Sequence, residues 1–387
     1  MREAVLQSLV MDAGRHVPMY RRFWSAAGID VAGARHAPDF GRLPELDKSM
    51  LRSFRPEERL HVRRRGRRLA EESSSGSSGE PVTVFKDRRQ EFLRRWAFLR
   101  ALLACGYRPG QRCLFITSRR SGAWPAATRW RYARVGDDTD ELLALIDSQR
   151  PHVLYGPLST LELLAARRQT ASVHPGWPTL VVSTAEQLTG SRRAALERAF
   201  GPCIADFYGM TEFGLVAYRT PGRATFERAR TSLLLEFLPM AGEPVLERLV
   251  VTDVAARTAP LIRYDTSDLV RRDRDRAPGP IVEFAGRSFD CLVTAEGRPV
   301  SPYRVDVVLE QITGLVGFEV VQQPDRSVDV TLEAQPDACD AVLAAARHGL
   351  APVLGSGVEL RVTCGTIRRG PPGTKFRPIR SLTGGSA

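Results

Sequence analysis

The chain has 387 residues, 43% hydrophobic and 26% charged, a balance that excludes disordered, collagen-like and fibrous proteins, and its length predicts two or three domains rather than one core. A formal charge of +12 raises a nucleic-acid hypothesis, yet only Lys48, Lys86 and Lys375 among the 56 basic residues are lysine. That arginine skew is the mark of GC-rich codon usage, and with no nucleic-acid module and no basic–aromatic interleaving the charge points instead to a small acidic partner such as a nucleotide, coenzyme A or an acyl carrier protein.

In chain order, Met1 to Gly14 carries Glu3 and Asp12 and lacks the basic-then-apolar order of a signal peptide. Residues 1–70 read as helical pieces joined by a Pro/Gly-rich stretch, with Leu43-Pro44-Glu45-Leu46-Asp47-Lys48 as a connector. The Ser/Gly tract Ser73 to Pro81 precedes a strand, Val82 to Phe85. Glu91 to Cys105 has helical periodicity, and Cys113 to Ile116 reads as a buried strand. Helices at Leu142–Ile146, Leu161–Arg168 and Ser191–Phe200 then alternate with strands at Val153–Tyr155, Thr179–Ser183 and Ile204–Tyr208. This β-α-β-α rhythm predicts an α/β fold with an open, mostly parallel sheet.

From Ser232 the texture turns to strands, including Leu233–Phe237 and Leu249–Val254, which predicts an antiparallel or barrel-like subdomain. The last hundred residues read as compact α+β. A hairpin turns at Glu296-Gly297, and helices at Tyr303–Ile312 and Ala338–Leu350 lie among strands at 316–322, 327–332 and 358–363. No apolar run reaches the about 18 residues that cross a bilayer, so a cytoplasmic enzyme without membrane attachment is expected. The six cysteines form no C-x-x-C and cluster with no histidine, so they are expected to be reduced packing residues, with no zinc site.

Five stretches carry chemistry. Ser74-Ser75-Gly76-Ser77-Ser78-Gly79 alternates short hydroxyls with glycines, a composition that suits phosphate oxygens and equally a flexible linker. It is not a Walker A loop, since no Gly-Lys-Ser/Thr follows. Tyr208-Gly209-Met210-Thr211-Glu212 places an aromatic, a hydroxyl and a carboxylate together; Glu212 suits Mg²⁺, which prefers hard oxygen ligands. Tyr264-Asp265-Thr266-Ser267-Asp268 offers acids for ribose hydroxyls, and Gly286-Arg287-Ser288-Phe289-Asp290 is a Gly-Arg turn. Lys375 stands out because arginine, so dominant here, does not replace a compact mobile charge.

In this order the stretches resemble the adenylate-forming superfamily of acyl-CoA synthetases and adenylation domains, and most of all its phenylacetate–CoA ligase branch with the capsule-locus relatives. Ser74 to Pro81 resembles the family's Thr-Ser-Gly-Thr-Thr-Gly-x-Pro loop, Tyr208 to Glu212 its Tyr-Gly-x-Thr-Glu, and Tyr264 to Asp268 its Tyr-Arg-Thr-Gly-Asp. Gly286-Arg287 is similar to the Gly-Arg before the interdomain hinge, and Lys375 to the catalytic lysine. Softer likenesses, including Ser183-Thr184-Ala185-Glu186 and Leu261-Ile262-Arg263-Tyr264, extend over nearly the whole chain.

The resemblance implies an N-terminal AMP-binding domain, 1–287, and a mobile C-terminal domain, 288–387. It implies ATP-dependent activation of a carboxylic acid, by analogy an aromatic one, to an acyl adenylate. The acyl group then passes to coenzyme A or, as alternatives, to an amine or a carrier protein; a degenerate nucleotide-binding protein is the non-enzyme alternative. It implies catalytic roles for Lys375, Thr211 and Glu212 with Mg²⁺ on Glu212. Nucleotide contacts are implied for Ser74 to Gly79, Ala185, Glu186, Tyr208, Gly209, Met210, Thr211, Asp268 and Arg287. Departures are Glu80 for a frequent lysine, Asp265 and Ser267 in the ribose motif, Phe289 at an often acidic hinge position, and a short stretch from Ile116 to Val135. Arg219-Thr220-Pro221 stands where some relatives carry zinc-binding Cys and His, so no zinc is expected.

Overall fold

The computed structural model describes residues 2–31, 33–66, 68–73, 82–117, 129–168, 177–230, 232–275, 279–367 and 377–383. Helices α1 (Arg2–His16), α2 (Pro18–Ala26) and α3 (Lys48–Ser53) precede a hairpin of β1 (Ala70–Ser73) and β2 (Thr83–Lys86), whose antiparallel register runs from Ala70↔Lys86 to Ser73↔Thr83. Helix α4 (Arg88–Ala104) starts at a capping box: Asp87 accepts from the Gln90 N–H at 3.0 Å, and the Gln90 side chain accepts from the Asp87 N–H at 3.2 Å.

Next come β3 (Cys113–Thr117), β4 (Trp130–Arg134), α5 (Thr139–Gln149), β5 (Val153–Pro157), α6 (Leu158–Arg168), β6 (Leu180–Thr184), α7 (Gly190–Phe200), β7 (Ile204–Met210), β8 (Gly214–Arg219) and β9 (Glu227–Arg228). They form a seven-stranded sheet in the order β4-β3-β5-β6-β7-β8-β9, parallel from β4 to β7 and antiparallel beyond. Cys113 to Ile116, Val153-Leu154 and Leu180 to Ser183 are buried throughout, as expected of parallel strands covered on both faces. One face packs on Leu142, Leu161, Leu164 and Leu196 of α5 to α7, the other on Ala97, Ala101 and Leu102 of α4.

Strands β10 (Leu233–Met240), β11 (Glu243–Asp253), β12 (Tyr264–Arg272) and β13 (Ile281–Arg287) make an antiparallel sheet in that order. The antiparallel texture expected after Ser232 is present. The sheet is an open meander, and no closed barrel is found among the described residues, because β10 and β13 are its edges rather than partners. Its inner face shares a core with Tyr20 and Trp24 of α2.

The remaining elements are β14 (Leu292–Val293), β15 (Pro299–Val300), α8 (Pro302–Glu310), β16 (Leu315–Gln322), β17 (Val328–Ala334), α9 (Cys339–Leu354), β18 (Leu360–Cys364) and β19 (Ile379–Ser381). Four of them form a sheet in the order β18-β17-β16-β19, with a core that includes Val320, Val330, Leu332, Val342 and Leu350. Cys105, Cys113 and Cys291 are buried free thiols, as expected. Cys339 and Cys364 depart from the expectation of reduced cysteines: they form a disulfide, with Cα atoms 6.3 Å apart. Sheet pairing of β17 with β18 brings the start of α9 and the end of β18 together, which spacing in the sequence does not reveal.

Candidate active site

The carboxyl ends of parallel strands are where open α/β sheets bind ligands, and there Tyr208, on β7, meets Asp268 and Arg287. β6 and β7 end side by side at the register pair Thr184↔Phe207. Ala185, one residue on, adopts a left-handed backbone with φ 68°, and Tyr208 stands at the matching place on β7. Glu186 turns away toward the helices: Ser159 donates to it at 2.7 Å and Arg192 lies 3.6 Å from its carboxylate.

Tyr208 reaches β12. Its hydroxyl donates to Asp268 Oδ2 at 2.5 Å, and its ring stacks on Phe284 with centroids 3.6 Å apart. Arg287, opposite Asp268 in the β12–β13 register, donates from Nε to Asp268 Oδ1 at 3.3 Å. Burial, then the neighbouring Asp268 charge, pushes the Tyr208 phenol well above its usual range, so it remains a proton donor.

Asp268 follows a strained position, since Ser267 has φ 61° where the family's usual residue is glycine. Asp265 Oδ1 accepts from the Ser267 N–H at 2.8 Å, and Thr266 Oγ1 accepts from the Asp268 N–H at 3.1 Å. Asp265, the other departure, pairs with Arg248, which also meets Glu45 at 2.8 Å.

β7 and β8 are joined by the turn Thr211-Glu212-Phe213. Gly209 is required there, because a Cβ would sit 2.8 Å from the Gly214 carbonyl oxygen. Gly214 is required for its φ of 72° and because a Cβ would lie 2.5 Å from Arg94 Nε. Met210 pairs with Gly214 and packs on the core beside Tyr208.

Glu212 accepts from the Tyr264 hydroxyl at 3.3 Å and lines a cavity with Met19, Thr83, Gln90 and Leu261. Burial, then the Glu212 charge, holds the Tyr264 phenol well above its usual range. Lys48 is close enough to feel the Glu212 charge, although burial lowers its ammonium pKa overall. A half-buried carboxylate is a hard-oxygen ligand of the kind Mg²⁺ takes together with phosphate oxygens and water.

Two further residues at the site were not singled out by the sequence reading. Lys86, 2% exposed, pairs with Glu72 and donates to the Thr211 carbonyl at 2.6 Å. Phe284 backs the Tyr208 ring. The rarity of lysine, applied to Lys375, was a signal that could have singled out Lys86 as well. The expected phosphate loop Ser74, Ser75, Gly76, Ser77, Ser78 and Gly79, together with Lys375, lies outside the described residues. Arg377, two positions after Lys375, pairs with Asp290 and lies over the Phe289 ring at 5.1 Å, while Arg287 lies over the same ring at 5.5 Å.

Arg219, in the segment where some relatives bind zinc, pairs with Asp206 at 2.9 Å and lies over Phe226. Elsewhere, Asp12, His16 and His61 come together among the described residues. His61 Nδ1 accepts from the Arg63 N–H at 3.2 Å, which leaves an Nε2–H to donate to Asp12 at 3.1 Å. A metal-bound imidazole needs the reverse, with its outer nitrogen donating. The donor set therefore reads as a hydrogen-bond network.

No protein-family model matches the chain. It is 27% identical to the phenylacetate–coenzyme A ligase of Thermus thermophilus over 358 residues, covering 85% of this chain and 79% of that one. To the phenylacetate–coenzyme A ligase of Escherichia coli it is 26% identical over 405 residues, covering 94% and 90%. Among solved structures, 2-hydroxyisobutyryl-CoA ligase in its postadenylation state, bound to R3-HIB-AMP, superposes with a TM-score of 0.75 at 21% identity, covering 98% of this chain and 88% of that one. The anthranilate CoA ligase AuaEII with anthranoyl-AMP gives a TM-score of 0.60 at 17% identity, covering 79% and 65%. Those structural likenesses show the fold. The chain is thus similar to phenylacetate–coenzyme A ligases along most of its length and shares the fold of adenylate-forming CoA ligases.

Proposed function

We propose that this chain is an ATP-dependent acid–thiol ligase that converts a carboxylic acid to an acyl adenylate, releases pyrophosphate and passes the acyl group to coenzyme A. The observation that carries this reading is the convergence of Tyr208, Asp268, Arg287 and Glu212 at the carboxyl end of the parallel sheet. The curated relatives are coenzyme A ligases, which favours coenzyme A over an amine or a carrier protein, and their substrate favours an aromatic acid.

The chemical problem is electrostatic, because a carboxylate must attack a triphosphate. Asp268 accepts from the ribose hydroxyls; each of its oxygens has a second lone-pair site beyond those used by Tyr208 and Arg287. With Phe284 on one face of Tyr208, adenine takes the other. Arg287 contacts ribose or phosphate, with Ala185 at the nucleotide's edge, while Glu186 stays engaged with Ser159 and Arg192. The glycines and hydroxyls of Ser74 to Gly79 hold the β- and γ-phosphates, and Thr211 the α-phosphate. Glu212 would hold Mg²⁺, whose charge would offset that of the phosphates. The Lys375 ammonium stabilises the charge that develops as the carboxylate oxygen bonds to the α-phosphorus and pyrophosphate leaves.

We assign residues 1–287 to the AMP-binding domain and 288–387 to a mobile domain, supported by the separate core of the β16–β19 sheet. Rotation about Arg287–Asp290 would withdraw Lys375 and admit the thiol. We expect a cytoplasmic protein that binds neither zinc nor nucleic acid; no described helix is long and apolar enough to cross a membrane.

A panel of aromatic and aliphatic acids tests the reading through acid-dependent pyrophosphate release, followed by mass identification of products with coenzyme A or amines. A thioester is expected. Pyrophosphate release with amide and no thioester would replace the acceptor, and no release with any acid would leave a nucleotide-binding protein.

A further inference from the structure

The turn that presents Glu212 is held by its main chain. Lys86 Nζ donates to the Thr211 carbonyl at 2.6 Å, and Arg230 donates to the Phe213 carbonyl at 3.1 Å. Lys86 comes from the end of β2 and pairs with Glu72 on β1. Arg94 of α4 joins the same Glu72 at 3.4 Å, meets Glu91 at 2.9 Å and packs against Gly214 at the far end of the turn. A buried ammonium is costly unless it is paired and hydrogen-bonded, and here Glu72 and the Thr211 carbonyl meet both needs.

The Thr211 carbonyl lies in the same rigid peptide plane as the Cα of Glu212. Fixing that oxygen fixes the N–Cα bond about which the Glu212 side chain swings, and the Arg230 hydrogen bond to the Phe213 carbonyl restrains that rotation from the other side. We propose that Lys86 is a positioning residue for adenylation, acting through the Thr211–Glu212 peptide to aim the Glu212 carboxylate. The assignment rests on the ligase reading above.

The charged groups facing Lys86 are Glu72 from β1 and Arg94 and Glu91 from α4, with the Thr211 carbonyl from the β7–β8 turn. Burial, then Arg94, pushes the ammonium pKa down to about 8, against the pull of Glu72 and Glu91. The ammonium is present below that pH and lost above it. Adenylation should therefore fall on the alkaline side, and removing the Glu72 charge should move that fall to lower pH.

The test measures acid-dependent ATP–pyrophosphate exchange against pH and Mg²⁺ for wild type, Lys86→Met and Glu72→Gln, with thermal unfolding of each. Lys86→Met should lower the exchange kcat by about 10- to 100-fold and raise the Mg²⁺ requirement about tenfold, the range found when groups behind a metal ligand are removed. The acid KM and the use of preformed acyl adenylate should stay near wild type. Glu72→Gln, which keeps the lysine, should shift the alkaline limb to lower pH, and this readout stands even if Lys86→Met does not fold. Wild-type exchange with unchanged Mg²⁺ dependence in Lys86→Met, or an unshifted limb in Glu72→Gln, would overturn the positioning role alone. A wild-type protein inactive with every acid would instead overturn the ligase reading.

Discussion

The β12 end of the site and the β7–β8 turn each present a carboxylate, and they hold it differently. Asp268 is fixed through its side chain: one oxygen takes the Tyr208 hydroxyl at 2.5 Å and the other the Arg287 Nε at 3.3 Å. Glu212 is fixed through its backbone, by Lys86 on one carbonyl and Arg230 on another, while its carboxylate has a looser contact with Tyr264 at 3.3 Å. A carboxylate locked by neighbours suits recognition of a ligand of fixed shape, such as a ribose. One aimed by its backbone and lightly engaged at its oxygens suits a cation that comes and goes with each substrate.

Replacement of the two acids gives the largest effects and can break this comparison. Glu212→Gln should slow adenylation by roughly 10²-fold or more, the loss typical of removing one group that stabilises transition-state charge, and should raise the Mg²⁺ requirement. Asp268→Ala should raise the ATP KM about tenfold or more, the equivalent of 1.4 kcal/mol, with little change in Mg²⁺ dependence. Steady-state kinetics against ATP and Mg²⁺ checks both. If Asp268→Ala altered the Mg²⁺ requirement and Glu212→Gln only the ATP KM, the roles would be exchanged.

Smaller changes sharpen it. Each tyrosine donates one hydrogen bond to a carboxylate, worth about 1.5–3 kcal/mol at most. Tyr208→Phe should therefore raise the ATP KM several-fold, whereas Tyr264→Phe should shift the Mg²⁺ titration by less, its bond being the longer. Equal effects on both titrations would show the two carboxylates to be coupled. The smallest expected change is Ser267→Gly. Ser267 holds φ 61°, a left-handed backbone that costs a non-glycine residue roughly 1–2 kcal/mol, offset in part by the roughly 0.5–1 kcal/mol entropy loss of glycine. Thermal unfolding should rise by a degree or two with activity unchanged; a fall would mean that the serine hydroxyl holds Asp268 in place.

Much of this was legible in the sequence where local pattern governs. The apolar runs from Cys113 to Ile204 marked the parallel strands β3, β5, β6 and β7, and the capping residue Asp87 starts a helix close to where the periodicity placed it. The strands β4, β8, β12 and β13, and the openness of the antiparallel sheet were not legible, because long-range pairing decides them. The motif acids were found by type and order, but their holders were not: Lys86 lies 125 residues from Thr211, and Tyr208 lies 60 from Asp268. The pairing of Cys339 with Cys364 across 25 residues had no spacing signal either. Glu186, assigned by its motif to the nucleotide, is engaged with Ser159 and Arg192.

The central claim is that the substrate's carboxylate attacks the α-phosphate of ATP. The accepted acid, labelled with ¹⁸O in both carboxylate oxygens, is turned over with ATP and coenzyme A, and the nucleotide product is analysed by mass spectrometry. The account predicts AMP carrying one ¹⁸O, with pyrophosphate unlabelled, because the bridging oxygen leaves with the nucleotide when the thiol takes the acyl group. ADP with labelled inorganic phosphate, or AMP without label, would contradict it.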